Sequence, residues 1–176
     1  MGNIGKIVAQ KCYGMGMDVI VADPYLKADE NNQFEIKSNG RVADFKVKVV
    51  ALDELLKNAD FISIHTPLTN ETRNLLDYAK LSLIKETSVL VNNSRGGVVN
   101  ENDLYKVLKE KNIDVAFDVF ANEPVGKLNL LELDNFTCTP HISASTAEAQ
   151  KQVAIDLYNQ IKAFFIDGEM INVLNK

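Results

Sequence analysis

Short apolar runs alternate with longer helical patterns along most of the chain. The short runs lack the strict apolar–polar alternation of a half-buried strand, and the longer segments place apolar residues three or four positions apart. This pattern is typical of parallel strands that crossover helices cover on both faces. It predicts a doubly wound, mostly parallel α/β fold. The predicted strands are residues 18–23, 46–50, 61–65, 88–92, 114–120 and 136–139.

Helices are predicted between these strands. The first begins directly after Gly2, places Ile4, Val8 and Cys12 on one face, and ends at Gly14. The others are predicted at residues 52–58, 72–84, 101–111 and 146–167, with a turn of helix at Leu130-Leu131.

The pattern of apolar and polar residues also predicts the longest helix and the longest irregular stretch of the chain. The helix at residues 146–167 is expected to turn Val153, Leu157, Ile161 and Phe164 inward and to be capped by Gly168. Residues 27–45 are polar and irregular, so we expect an exposed excursion there. Within it, Asn39-Gly40 suits the turn of a short hairpin.

Composition narrows the functional class. The 176 residues suffice for one domain with a real core, so residues 1–176 are predicted to form a single domain. The 24 acidic and 19 basic residues give a formal charge of −5, and Lys and Arg form no basic stripe, so nucleic acid is not an expected partner. The sequence has no signal-peptide pattern and no apolar run of membrane length, so a cytoplasmic protein is expected. Cys12 and Cys138 resemble small buried apolar residues, although a disulfide between them stays open.

The loop after the central predicted strand carries a candidate substrate ligand. An apolar run ends in Asn92, and the sequence Asn93-Ser94-Arg95-Gly96-Gly97 leads into the next helix. Ligands of open parallel sheets sit beyond the carboxyl ends of the strands, and an arginine there can grip a carboxylate with two hydrogen bonds. A solvated arginine in a helix-entry loop explains the same residues.

The start of the chain resembles part of a dinucleotide-binding turn. Gly2 and Gly5 stand where the second and third glycines of Gly-x-Gly-x-x-Gly would open a helix that receives a pyrophosphate. Asp23 ends the next strand, where a carboxylate binds the adenosine ribose hydroxyls and disfavours a 2′-phosphate, so NAD is expected rather than NADP. The first glycine and the first strand would precede Met1. A glycine-rich helix start followed by an Asp-Pro turn remains the structural alternative.

Seven short motifs in order resemble one family, the D-isomer-specific 2-hydroxyacid dehydrogenases, in their cofactor domain. The motifs are Gly2-Asn3-Ile4-Gly5, Asp23-Pro24-Tyr25, His65-Thr66-Pro67-Leu68-Thr69, Asn93-Ser94-Arg95-Gly96-Gly97, Asp118-Val119-Phe120, Asn122-Glu123-Pro124 and Thr139-Pro140-His141. The resemblance covers nearly the whole chain. The run from His141 to Gln150 looks most like the phosphoglycerate dehydrogenase branch.

The resemblance implies a catalytic set of Arg95, Glu123 and His141. Oxidation of a 2-hydroxy acid removes the hydroxyl proton while a hydride leaves for the nicotinamide, and imidazole is a natural proton acceptor. A carboxylate on the far ring nitrogen would fix the tautomer of His141. Arg95 would hold the substrate carboxylate and polarise the carbonyl that forms.

The resemblance also implies a cofactor, a binding set and an oligomer. NAD is the implied cofactor, and the substrate is a small 2-hydroxy or 2-keto acid. The implied cofactor-binding residues are Gly2, Asn3, Ile4, Gly5, Asp23, Thr66, Asn93, Ser94, Asp118, Ser143 and Ala144. A homodimer is expected because similar family members pair through this domain.

Two departures from the family pattern lead us to expect a fragment of a longer dehydrogenase. The family's substrate domain has no counterpart in the sequence, and neither does the first strand, which is central in the order 3-2-1-4-5-6. The strands at residues 18–23 and 61–65 should therefore each have an edge without a partner.

Three functions stay open from the sequence. The first is an NAD-dependent dehydrogenase of D-2-hydroxy acids, with 3-phosphoglycerate as a candidate substrate, or the cofactor half of such an enzyme. The second is a truncated, non-catalytic remnant that binds dinucleotide or a partner chain. The third is a dehydrogenase of another Rossmann-like family, which accounts for Asp23 but leaves the ordered Arg95, Glu123 and His141 as coincidence.

Overall fold

The computed structural model of the chain describes residues 1–37 and 44–172. In this part of the chain the helices are α1 (Asn3–Gly14), α2 (Leu52–Asn58), α3 (Tyr78–Leu81), α4 (Glu101–Glu110) and α5 (Ala147–Lys162). The strands are β1 (Ile20–Val21), β2 (Gln33–Ile36), β3 (Phe45–Val49), β4 (Phe61–Ile64), β5 (Val89–Asn92), β6 (Asp114–Phe117) and β7 (Phe136–Cys138). A 3-10 turn spans Asn129–Glu132, and a π-helical segment spans Ala163–Asp167. The predicted α/β class is confirmed.

The chain divides into two units, Met1–Pro140 and His141–Lys176. The described residues of the first unit form two sheets. One has the order β1-β3-β2, with β1 parallel and β2 antiparallel to β3. The other has the order β4-β5-β6-β7 and is parallel throughout. Its strands therefore end together at one edge.

Each sheet ends in a strand that the sequence predicted to lack a neighbour. Within the described residues, β1 pairs only with β3, and β4 pairs only with β5. Phe61, the first residue of β4, is 65% exposed. This is the arrangement expected where a first strand would lie between β1 and β4.

The main core lies around the four-stranded sheet. Helix α4 presents Leu104, Val107 and Leu108 to this core, and each is nearly fully buried. Burial of one such side chain stabilises the fold by roughly 1.5–3 kcal/mol. The helix begins at Glu101 because the side chain of Asn100 accepts hydrogen bonds from the backbone N–H groups of Asn102 and Asp103, at 3.1 Å each.

The predicted helix at residues 72–84 is mostly wrong. Only Tyr78–Leu81 is helical, with the side chain of Asp77 as its cap. Upstream of it, the N–H of Asn74 donates to Gly97 and the N–H of Leu76 donates to Val98, so this backbone bonds to the loop after β5. Those tertiary hydrogen bonds replace the helical ones.

The prediction of an exposed excursion at residues 27–45 is wrong for β2. Phe34 and Ile36 alternate with polar residues, and the strand pairs antiparallel with β3. Ile36, Phe45 and Val47 are buried in a second, smaller core together with Ala9. The predicted turn at Asn39-Gly40 lies outside the described residues.

Helix α1 is confirmed, but its buried face is not the predicted one. Gly5 and Ala9 are buried, whereas Ile4 is 67% exposed. Cys12 is half-buried, while Cys138 is exposed at the end of β7, contrary to expectation. No disulfide joins the two cysteines, both of which lie in the described ranges.

The described part of the second unit, which ends at residue 172, contains a loop, α5 and the π-helical segment. Gly168 ends this helix with φ 69°, as predicted for a left-handed cap. The predicted inward residues are wrong, because Val153, Leu157, Ile161 and Phe164 are between 48% and 67% exposed. Periodicity identified a helical face here but could not say whether the face is covered. Among the described helices, none is long and apolar enough to cross a bilayer.

Candidate active site

The loop after β5 is organised by a buried amide. Asn92 is 1% exposed, and its Oδ1 accepts hydrogen bonds from the backbone N–H and the hydroxyl of Ser94, at 3.1 and 2.8 Å. Its Nδ2 donates to the carbonyl of Arg95 at 3.2 Å. The Arg95 side chain is exposed, with Nη1 bonded to the Ser94 carbonyl at 2.7 Å. The loop therefore presents a guanidinium at the carboxyl end of the sheet.

The loops after β5 and β6 are in direct contact at Gly96. A Cβ atom at this position would lie 1.8 Å from the carbonyl oxygen of Phe120. Glu123 lies in the same loop as Phe120, and its Oε1 accepts a hydrogen bond from the Phe120 N–H at 2.9 Å. The absence of a side chain at Gly96 thus allows the loop of Arg95 to pack against the loop of Glu123.

Glu101 and Asp118 fix the rest of this edge. Oε1 of Glu101, at the start of α4, accepts a hydrogen bond from the Ala121 N–H at 2.6 Å. Asp118 is 5% exposed, accepts a hydrogen bond from the Thr139 hydroxyl, and donates its N–H to the Asn92 carbonyl at 2.9 Å. The ends of β5, β6 and β7 are therefore tied together by polar groups.

The start of α1 fits the phosphate end of a dinucleotide. Gly2 precedes the helix, and within the described residues neither a capping side chain nor a first-turn acid occupies this N-terminus. Such an end attracts an anion through its free N–H groups and its dipole. A Cβ on Gly5 would lie 3.3 Å from Cγ of Met1 and 3.6 Å from Cβ of His65, so the helix packs closely against the end of β4.

Asp23 lies at the end of the segment that contains β1. Its carboxylate accepts hydrogen bonds from the Met1 ammonium and, at 2.9 Å, from the Tyr25 N–H. Burial opposes ionisation of Asp23, but these hydrogen bonds and the ammonium charge outweigh it and hold the pKa below its usual 3.8. Asp23 is therefore a carboxylate at neutral pH, as ribose binding requires.

His65 and Thr66 follow β4. The imidazole Nε2 of His65 is 2.9 Å from the Ser63 hydroxyl, and burial lowers the pKa of His65. Thr66 is half-buried beside it. The imidazole is therefore neutral at physiological pH, which suits a structural histidine at the strand end.

His141, Ser143 and Ala144 belong to the second unit. They lie in the loop before α5, whose cap is the side chain of Thr146. His141 has φ 55°, a left-handed conformation that few non-glycine residues adopt. Strained backbone of this kind concentrates at functional sites.

The first unit thus brings Arg95, Glu123 and Asp118 to one edge of the parallel sheet, with Asn93 and Ser94 in the same loop as Arg95. Gly2, Asn3, Ile4 and Gly5 lie at the start of α1, and Asp23 is joined to this end through Met1. Two residues of this edge, Asn92 and Glu101, were missed by sequence reasoning. A strand-ending Asn followed two residues later by Ser is an Asx-turn signal that indicates the first of them.

Comparison with known proteins decides the family. The family model described as "D-isomer specific 2-hydroxyacid dehydrogenase, NAD binding domain" matches residues 1–143. The chain belongs to this family. Its fold is accordingly that of an NAD-binding domain.

Relatives within the 2-hydroxyacid dehydrogenase family have several functions. A D-3-phosphoglycerate dehydrogenase of Methanocaldococcus jannaschii is 38% identical over 99% of this chain and 32% of the relative. A hydroxypyruvate reductase of Thermotoga maritima is 40% identical over 91% of this chain and 49% of the relative. The crystal structure of a D-lactate dehydrogenase of Aquifex aeolicus with NAD and lactic acid superposes with a TM-score of 0.77 at 29% identity, over 99% of this chain and 56% of that chain. The chain therefore spans between a third and just over half of these proteins.

Proposed function

We propose that this chain supplies the cofactor half of an NAD-dependent dehydrogenase that transfers a hydride between nicotinamide and a D-2-hydroxy acid. The observation that carries the proposal is the contact at Gly96, which packs the loop of Arg95 against the loop of Glu123 at the carboxyl edge of the parallel sheet. Ligands of open α/β sheets bind at this edge. A carboxylate-binding fork and a carboxylate in adjoining loops suit a substrate acid and a histidine base.

In the proposed mechanism, NAD supplies the hydride acceptor when bound. Arg95 binds the substrate carboxylate through its planar fork and orients the carbon that bears the hydroxyl. His141 accepts the hydroxyl proton at a ring nitrogen, and Glu123 stabilises the imidazolium that results. In the reverse direction His141 returns the proton to the carbonyl oxygen.

The proposed cofactor mode follows the start of α1. The pyrophosphate would lie over Gly2, Asn3, Ile4 and Gly5, where the helix dipole favours an anion. Asp23 would bind the ribose hydroxyls and disfavour the 2′-phosphate of NADP. The remaining contacts are proposed for Thr66, Asn93, Ser94, Asp118, Ser143 and Ala144.

The proposed substrate is 3-phosphoglycerate, because a relative that matches 99% of this chain is named a D-3-phosphoglycerate dehydrogenase. A hydroxypyruvate reductase is equally similar, so hydroxypyruvate is the competing substrate. Assays with both acids, in opposite directions of the reaction, discriminate between them. The substrate proposal is wrong if only hydroxypyruvate supports turnover.

Turnover tests the catalytic roles. In an enzyme that joins this cofactor half to a substrate domain, NAD-dependent oxidation is expected with D- but not L-2-hydroxy acids. His141→Ala should lower kcat by about 10²–10⁴-fold, the usual contribution of a general base. Arg95→Lys should raise KM, because lysine keeps the charge but loses the two-pronged geometry. Unchanged turnover in His141→Ala would rule out the assigned base.

We also propose that residues 1–176 form one cytoplasmic NAD-binding domain that assembles as a homodimer. The match of the NAD-binding domain model to residues 1–143 supports the proposal of an NAD-binding domain. The pairing is supported by the apolar residues exposed on α1 away from its N-terminus, among them Ile7 and Tyr13. Light scattering after size-exclusion chromatography measures the molar mass in solution, and a monodisperse monomer would contradict the proposed homodimer.

A further inference from the structure

A second carboxylate, that of Glu71, lies at the end of the dinucleotide site that holds Asp23. The hydroxyl of Tyr25, two residues after Asp23, donates a hydrogen bond to Oε2 of Glu71 at 2.9 Å. The N–H of Tyr25 donates to Oδ1 of Asp23, also at 2.9 Å. One residue is therefore bonded to both acids.

This contact spans the two strand ends that flank α1. Tyr25 follows β1, whereas Glu71 lies in the loop after β4. The start of α1 touches the same two ends, since the Met1 ammonium bonds to Asp23 and Gly5 packs against His65. Glu71 is therefore held beside the ribose-binding acid rather than elsewhere along the edge.

The loop of Glu71 is fixed by its own hydrogen bonds. The Thr72 hydroxyl donates to the Pro67 carbonyl at 2.6 Å and accepts from the Thr69 N–H at 2.7 Å. The N–H of Arg73 donates to the Thr69 carbonyl at 3.0 Å. These hydrogen bonds hold the backbone around Glu71 in place without a ligand.

The electrostatics distinguish the two acids. The charge of Asp23 is partly offset by the Met1 ammonium, whereas Glu71 bonds to the neutral hydroxyl of Tyr25. The hydrogen bond to Glu71, its charge and the charge of Asp23 all raise the pKa of Tyr25. The negative charges of Glu71 and Asp23 are therefore both felt at the position of Tyr25.

We propose that Glu71 is a second selectivity residue, which the Tyr25 bridge holds where it repels the 2′-phosphate of NADP. This inference rests on the proposed cofactor mode. NADP differs from NAD by a dianionic phosphate on the adenosine ribose, and repulsion between exposed charges extends over a Debye length of about 10 Å at 0.1 M salt. The ribose hydroxyls of NAD carry no charge, so Glu71 leaves NAD binding almost unaffected.

The test compares NADH and NADPH affinities of the purified chain by fluorescence titration at low and high salt. Glu71→Gln keeps a hydrogen-bond acceptor for Tyr25 but removes the charge. It should improve NADPH affinity relative to NADH by about 3- to 10-fold at low ionic strength, and the gain should shrink in concentrated salt. Tyr25→Phe, which frees Glu71 from its position, should give a smaller gain of the same sign.

Glu86→Gln is the matched control, because Glu86 is an exposed acid just before β5, at the opposite edge of the sheet. It should leave the NADPH-to-NADH ratio unchanged. An unchanged ratio in Glu71→Gln, together with a shifted ratio in Asp23→Asn, overturns the role of Glu71 and leaves the cofactor mode intact. Absence of saturable NADH binding to the folded wild-type chain overturns the cofactor mode and this inference together.

Discussion

Gly96 lies where the backbone of the loop after β5 meets the backbone of the loop after β6. A methyl group there would lie 1.8 Å from the Phe120 carbonyl oxygen, well inside van der Waals contact. The neighbouring atoms belong to the backbone and cannot rotate away. The packing of the Arg95 loop on the Glu123 loop therefore depends on the missing side chain.

Gly96→Ala should lower the free energy of unfolding by about 1–3 kcal/mol, the usual cost of overpacking. Urea denaturation measures the change. Gly126→Ala is the control, since among the described residues no heavy atom would lie within 4 Å of its new Cβ, and it should change stability by less than about 0.5 kcal/mol. Equal stabilities of the two variants would contradict the close contact.

His65 should make stability depend on pH. Burial lowers its pKa below the unfolded value of 6.5, so between these two pKa values the unfolded chain binds more protons than the folded one. The contribution of His65 to the free energy of unfolding is complete above pH 6.5, and it is lost as the pH falls from 6.5 through the pKa of the folded state. His65→Gln should flatten this part of the curve of unfolding free energy against pH. A slope that persists unchanged in the variant would show that another group is responsible.

At the residue scale, the sequence was sufficient to predict that the loops of Arg95 and Glu123 lie at the same edge of the parallel sheet. Parallel strands end together, so Arg95 and Glu123 could be expected at one edge. The part played by Asn92 was missed, because Asn92 and Asn93 are adjacent and the Asx-turn signal of Asn92 with Ser94 was not used to decide which of the two is buried. The structure buries Asn92 and exposes Asn93.

At the scale of elements, strongly amphipathic segments were predictable. Helix α2 has the predicted bounds, and α4, which the side chain of Asn100 caps, differs by one residue at its end. Helix α3 was mispredicted, since tertiary hydrogen bonds outweighed the local helical pattern before it. Strand β2 was mispredicted because its short alternation of apolar and polar residues was overlooked.

Helix α4 follows the Arg95 loop and depends on its cap. Asn100→Ala removes the acceptor of two N–H groups and should cost about 0.5–2 kcal/mol of stability. Thermal unfolding by circular dichroism measures the loss. Asn102→Ala, at an exposed position of the same helix, should be close to neutral. A comparable loss in both variants would contradict the capping role of Asn100, because alanine at position 102 favours the helix by its intrinsic propensity.

At the scale of the whole molecule, the family and the fold class were predictable from seven ordered motifs, whereas the exposure of α5 was not. Its apolar face is present in the sequence, but burial depends on a covering surface that periodicity cannot reveal. The two strands at the open edges, β1 and β4, were predictable because the order of a doubly wound sheet places a strand between them.

The most direct test of the proposed cofactor site is an NADH titration of the 176-residue chain, monitored by the fluorescence of the cofactor. The chain contains no tryptophan whose emission would interfere. We expect saturable binding at one site per chain and a marked loss of affinity in Asp23→Ala. Asp18→Ala, which removes an exposed acid before β1, should bind like the wild type. Failure of a folded sample to bind NADH, or equal binding by Asp23→Ala, would contradict the proposed cofactor site.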